Sequence, residues 1–286
     1  MENMVDERFE CAAVICRLAG RPEYSSPDFG AFNTDYHKEV ANTFAPFATH
    51  EAVEYAKKLT DIICYDKVLK FAIHITKTDG KFVFIDDINS LFGAWNEEYA
   101  KEFLKLYNQF YVDTNYADFF NSHLTLFEEA TKIFIDEMYS HIDLDWFGKY
   151  VDSSNLRCIY SLSSGNYGAT VNDKIVYCLV HGGTPPITHE YCHSFANIFA
   201  DKWYKENQEF KKWCDDSVNP EKLPFYNSGS GMAREYVTRA YDVLYIVQHG
   251  GNLNEWLSKE RDFQYKDSFK YIEEVYNMIL KLEKSE

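Results

Sequence analysis

The chain has 286 residues and carries 29 Lys and Arg against 45 Asp and Glu, a net charge of −16. A field of that sign repels polyanions, which excludes a general nucleic-acid or anionic-membrane binder. A 46% hydrophobic share excludes a disordered chain, and 13 Gly with 7 Pro are too few for a many-turned all-β fold.

Apolar positions at helical spacing predict a first helix over Asp6–Leu18, stopped by Gly20, Arg21 and Pro22. Further helices are expected around Lys38–Phe44, from Thr49 through Leu59, and over Asp66–Ile75, the last closed by Asp79-Gly80. The longest helical signals are Glu97–Tyr111 and Ala117–Ser140, with aromatic stripes that read as core. After Tyr150 the pattern changes. Cys158–Leu162 and Lys174–His181 read as strands of a small antiparallel sheet of two to four strands, with turn signals at 163–166 and 171–173. Helical periodicity returns over Pro185–Phe199 and Trp203–Trp213. A turn-rich stretch over Asp215–Gly231 precedes a helix at Met232–Gln248, stopped by Gly250-Gly251, and one or two helices finish the chain.

No run approaches the ~18 apolar residues of a membrane span, and the acidic start is no secretory signal. The expectation is a soluble protein, cytoplasmic as the chain stands or exported if a leader has been removed. Seven scattered cysteines without a C-x-x-C pair read as buried free thiols. With no repeat or linker, residues 1–286 read as one mostly helical α+β domain. It comprises a helical lobe over 1–150, a sheet-containing core over 151–250 and closing helices over 251–286.

The chemistry concentrates in Thr184-Pro185-Pro186-Ile187-Thr188-His189-Glu190-Tyr191-Cys192-His193, which contains H-E-x-x-H. Thr184 suits a helix cap and Pro185 a first helical position. Four residues apart on a helix, His189 and His193 project from one face and can share a zinc ion, Zn2+, while Glu190 can reach a water on it as general base. A third histidine six residues on is ruled out, because that position is Phe199, and Asp201 is a weaker alternative. Glu235 is the better third ligand. It lies in a mostly apolar helix, where a carboxylate needs a cationic partner, although pairing with Arg239 one turn on would also supply one.

The segment His189-Glu190-Tyr191-Cys192-His193-Ser194-Phe195-Ala196-Asn197, with Glu235 inside R-E-x-V-x-R-A, resembles an uncharacterised bacterial domain-of-unknown-function family of zinc metallopeptidases. The likeness extends to Phe44–Val53, Tyr65–His74, Phe110–Asn115 and Gly165-Asn166-Tyr167-Gly168, and so to most of the chain. It implies a gluzincin-like site of two His and one Glu, and residues 151–250 as a zincin-like catalytic core.

Such a site implies hydrolysis of a peptide or protein substrate, with Tyr167, Tyr226, Tyr241, His181 and His249 as candidates to stabilise the carbonyl oxygen. Ser194, Asn197 and Arg239 could orient the ligands. By analogy with zincin folds, the strand Lys174–His181 would lie along the cleft and pair with an extended substrate. Two alternatives stand beside the peptidase: a zincin-fold hydrolase of another amide or ester, and a catalytically silent zinc-site binding module. His50-Glu51 mimics the start of the motif but has Glu54 where a second histidine would be.

Overall fold

The computed structural model describes residues 4–25, 34–59, 66–85, 95–163, 165–171, 175–180, 187–223 and 226–284. Among the described residues the chain is mostly helical with two small sheets, an α+β protein. Its backbone divides into two compact units, Met1–Ile142 with Ser154–Ile187, and Asp143–Ser153 with Thr188–Glu286. The strands therefore cluster with the N-terminal helices, not with the helix that bears the motif. No helix among the described residues is long and apolar enough to cross a membrane.

The first unit opens with α1 (Glu7–Leu18), α2 (Pro22–Ser25), α3 (Asp35–Phe44), α4 (Glu51–Lys58) and α5 (Asp66–Ile73). Asp6 caps α1 by accepting from Arg8 N at 2.9 Å, and every residue from Phe9 to Cys16 is buried, so this is a core helix with little amphipathic contrast. The buried Glu10 accepts hydrogen bonds from Ser161 Oγ and Ser163 Oγ at 2.6 Å each, Leu162 N at 3.1 Å and Tyr36 OH at 3.2 Å. Burial pushes its carboxyl pKa up, and those four donors work against the shift. His50 is a helix cap: its Nδ1 accepts from Ala52 N at 3.1 Å at the start of α4.

Two expectations in this unit need correction. Helix α5 stops at Ile73, and a hairpin follows, β1 (Ile75–Thr78) antiparallel to β2 (Lys81–Phe84). Asp79 and Gly80, both with positive φ, form the two-residue turn, so the Asp-Gly pair closes a hairpin and not a helix. Beyond α6 (Glu97–Asp113), the expected single helix over 117–140 is broken at His123 into α7 (Tyr116–Ser122) and α8 (Leu124–Glu137).

The second sheet is mixed, with β3 (Leu156–Tyr160) and β4 (Tyr167–Val171) flanking β5 (Ile175–Val180). β4 and β5 pair antiparallel, while β3 and β5 pair parallel, Cys158 opposite Cys178. The expectation of a purely antiparallel sheet overlooked β4, whose Gly168 and Ala169 carry a weak strand signal. Inserting one strand between the two strong ones makes those two parallel.

The second unit comprises α9 (Leu144–Phe147), α10 (Ile187–Glu206), α11 (Gln208–Ser217), α12 (Gly229–Gln248), α13 (Leu253–Arg261) and α14 (Ile272–Glu283). Helix α10 is continuous through Phe199 to Glu206, longer than expected, and Asn207 caps α11 through its side chain. Thr184 and Pro185, the expected cap, lie outside the described residues, as does Lys174. Ser228 Oγ caps α12 by accepting from Gly231 N at 3.1 Å. A Cβ at Gly229 would meet the Asp215 carboxylate and the Tyr204 hydroxyl, so a larger residue there would displace those side chains.

An aromatic seam joins α9, α10 and α12. Phe195 stacks on Tyr150 at 4.2 Å and meets Tyr241 edge-on at 4.9 Å, while Tyr245 packs against Trp146 and Phe147. Tyr191 and Phe195 sit roughly 200° and 240° around α10 from His189, so the apolar contacts leave the histidine face free for polar chemistry.

Candidate metal centre

The geometry of α10 and α12 brings His189, His193 and Glu235 together, with their ligand atoms all within 4.8 Å of one another. His193 Nε2 lies 3.3 Å from Glu235 Oε1, and His189 Nε2 lies 3.7 Å from Glu235 Oε2. The edge of a tetrahedral zinc site with these donors is about 3.4 Å. Two neutral imidazoles and a carboxylate in that spacing fit a zinc ion with small side-chain adjustments.

The pairs between the two helices run in opposite order. Asp201 bonds Arg234 at 2.8 Å, and His193 meets both Glu235 and Thr238. Antiparallel helices thus set the histidine face of α10 against the face of α12 that bears Glu235. Asp201 is thereby removed as a ligand candidate, because its carboxylate is committed to the Arg234 guanidinium.

The supporting shell fixes the chemistry of His193. Its Nδ1 lies 3.2 Å from Asn197 Oδ1 and 2.9 Å from Thr238 Oγ1. Both oxygens can accept from Nδ1–H, and that tautomer leaves Nε2 with its lone pair toward the centre. Asn197 was readable from the sequence as a neighbour one turn on. Thr238 was missed, although its place three residues after Glu235 puts it on a neighbouring part of the same helix surface.

Arg239 reaches Glu235 Oε2 through Nη2 at 3.3 Å and Glu260 Oε2 through Nη1 at 2.6 Å. The i,i+4 pairing of Glu235 with Arg239 and the convergence of Glu235 on the histidines therefore coexist. Glu260 carries no local sequence signal, since it lies 21 residues beyond Arg239 on α13.

Electrostatics reflect this crowding. Burial pulls His189 well below the ordinary imidazole value, helped by the positive charges of Arg239 and His193. Burial acts the same way on His193, but the hydrogen bond and charge of Glu235 override it and raise its pKa. Burial alone would raise the Glu235 carboxyl, yet His193, Arg239 and His189 hold it well below the usual carboxylate range. Without a metal the three donors thus draw a proton to their centre, where the geometry favours a cation. The charge of Glu190 is felt at both His193 and Tyr226.

The candidates for stabilising the carbonyl oxygen separate. Tyr226 is held up to about 12 by burial, then by Glu235, with Arg239 opposing, which places its hydroxyl in the field of the site. Tyr241 is ruled out as a site residue: it is buried against Phe195 and Phe199, and its hydroxyl donates to Glu283. His249 is also ruled out, because fourteen residues of helix carry it about 21 Å along α12 from Glu235. It pairs instead with Asp143 at 3.1 Å. Ser194 donates to the Tyr191 carbonyl at 2.6 Å and so serves its own helix, not a ligand. Tyr167 begins β4 of the other unit, and His181 lies outside the described residues.

Asp242, two turns beyond Glu235, was not anticipated. Its carboxyl is buried, and Oδ1 has no hydrogen-bond partner among the described residues. Burial raises its pKa to about 7; the Thr188 hydroxyl pulls it down, Glu260 pushes it up, and Arg239 and His193 pull it down. A raised carboxyl gives stability that is complete below the ordinary value of 3.8 and is lost as pH rises through about 7. In chelator, Asp242→Asn should therefore raise the melting temperature at pH 8 and leave it unchanged at pH 4, a gain of roughly a few kcal/mol. Thermal melts across that range check it, and equal effects at both ends would refute it.

No family model, curated protein or solved structure matches this chain.

Proposed function

We propose that the chain is a zinc-dependent metallopeptidase of the gluzincin type, with His189, His193 and Glu235 as ligands and Glu190 as general base. The observation that carries this is the convergence of three ligand atoms within 4.8 Å on the two helices that bear the H-E-x-x-H motif and the distant glutamate. In the same proposal α10 and α12 are the metal-bearing helices of a zincin-like core. The resemblance of 189–197 and 234–240 to the bacterial metallopeptidase family supports that assignment.

His189, His193 and Glu235 would hold a zinc ion, which would supply a Lewis acid and lower the pKa of a water towards neutrality. Glu190 would accept a proton from the attacking water and deliver it to the departing amine. Asn197 and Thr238 keep His193 in the tautomer that presents Nε2. Tyr226 keeps its proton at neutral pH and donates to the carbonyl oxygen as negative charge builds there. Tyr226→Phe is expected to lower kcat about a hundredfold with little change in KM. Steady-state kinetics on a cleaved peptide decide it, and an unaltered kcat would remove Tyr226 from the chemistry.

The test of the function uses the purified full chain. One zinc per chain by elemental analysis is expected, with cleavage of a quenched peptide library that chelator abolishes and zinc restores. Stoichiometric zinc with turnover of simple amides or esters but no peptide would make the protein a different hydrolase. Zinc bound without any turnover would make it a binding module, and no zinc would overturn the proposal.

A further inference from the structure

We infer that Arg239 and Glu260 act as a paired positioning device that keeps Glu235 a one-oxygen ligand. The inference rests on the metal reading of the site and extends it to residues that touch no metal. Glu235 directs Oε1 to His193 Nε2 at 3.3 Å, while Oε2, 3.7 Å from His189 Nε2, accepts from Arg239 at the shorter distance of 3.3 Å. An oxygen engaged by a guanidinium is a poor second donor to a cation, so the carboxylate presents one strong ligand atom.

An arginine this close to a dication repels it, and the structure compensates. Glu260 binds the other end of the guanidinium at 2.6 Å, which leaves the Arg239–Glu260 pair neutral. The pair is fixed in place. Arg239 is 3% exposed, and its guanidinium carbon lies 3.7 Å from the centre of the Phe263 ring and 4.5 Å from that of Phe269. Phe269 is held there by its own backbone: Phe269 N donates to Arg261 O at 2.9 Å, and Ser268 Oγ donates to the same oxygen at 3.1 Å. The segment after α13 therefore sets the orientation of a ligand on α12. A solvated i,i+4 ion pair needs none of this burial, second carboxylate or aromatic packing.

The roles differ, so the variants should differ. In Glu260→Gln the charge of Arg239 is uncompensated and competes with the metal for Glu235. Zinc affinity should fall about 10- to 100-fold, and the visible spectrum of the cobalt(II)-substituted protein should keep its band shape. In Arg239→Met, Oε2 is released to the metal, so the cobalt(II) spectrum should shift and weaken as the coordination number rises. Arg239→Met together with Glu260→Met should keep that altered spectrum while recovering most of the affinity lost in Glu260→Gln.

The experiment is zinc competition against a chromophoric chelator, plus cobalt(II) absorption, on the full-length wild type and variants. If Arg239→Met does not fold, Glu260→Gln, close in shape to the native residue, carries the affinity test alone. Unchanged affinity in Glu260→Gln, or an unchanged cobalt(II) spectrum in a folded Arg239→Met, overturns the inference while the metal site stands. Failure of the wild type to bind either metal overturns the metal reading, and the inference with it.

Discussion

Glu190→Gln should lower peptide turnover by two to four orders of magnitude while zinc content stays at the wild-type level. The two halves of that result have separate causes. Glu190 follows His189 by one residue, about 100° around α10, so it flanks the ligand face without supplying one of the three converging atoms. Its charge is felt at both His193 and Tyr226, whose hydroxyl is the one proposed for the carbonyl oxygen. Glutamine keeps the shape and hydrogen-bonding capacity but cannot take a proton from water, so chemistry is lost and binding is kept. Elemental analysis beside kcat on one peptide distinguishes the outcomes. Turnover within a few fold of wild type would assign the base elsewhere, and loss of zinc would make Glu190 a structural residue.

How far the site could be read in advance depended on whether each contact is local in sequence. His189 and His193 were readable because one helical turn separates them, and the same spacing exposed Asn197. Glu235 was readable because a carboxylate within the apolar pattern of α12 needs a partner. The spacing argument could not foresee that Arg239 and the histidines share it. Glu260, Phe263 and Phe269 were hidden because their association with Arg239 is tertiary. Tyr241 and His249 were offered for the opposite reason, being polar-tipped residues near the right helix in sequence. Helix phase turns the first into the aromatic seam, and helix length carries the second away. In the fold, the helical character was plain from periodicity, but Gly168 and Ala169 concealed β4, and one concealed strand was enough to reverse the pairing sense of β3 and β5.

Glu235→Ala should abolish zinc binding at concentrations that saturate the wild type, a larger loss than the 10- to 100-fold typical of a supporting residue. It removes one of the three proposed ligands, while Arg239 remains paired with Glu260, so no isolated charge is left to unfold the helix pair. Stabilisation by a ligand at a thousand times its Kd amounts to about 4 kcal/mol. Wild-type protein should therefore melt several degrees higher with zinc than with chelator, and Glu235→Ala should melt at the same temperature in both. The chelated proteins supply a second, pH-dependent signature. The raised pKa of His193 gives stability that is complete below its ordinary value of 6.5 and fades as pH rises through the raised one. The lowered pKa of Glu235 gives stability present above its ordinary 4.5 and lost as pH falls. Their windows overlap between those two ordinary values, so without metal Glu235→Ala should destabilise most near pH 5.5 and progressively less toward alkaline pH. A destabilisation that does not vary with pH would mean that Glu235 and His193 do not interact as the geometry places them. Zinc stabilisation that survives in Glu235→Ala would mean that the third ligand is another residue.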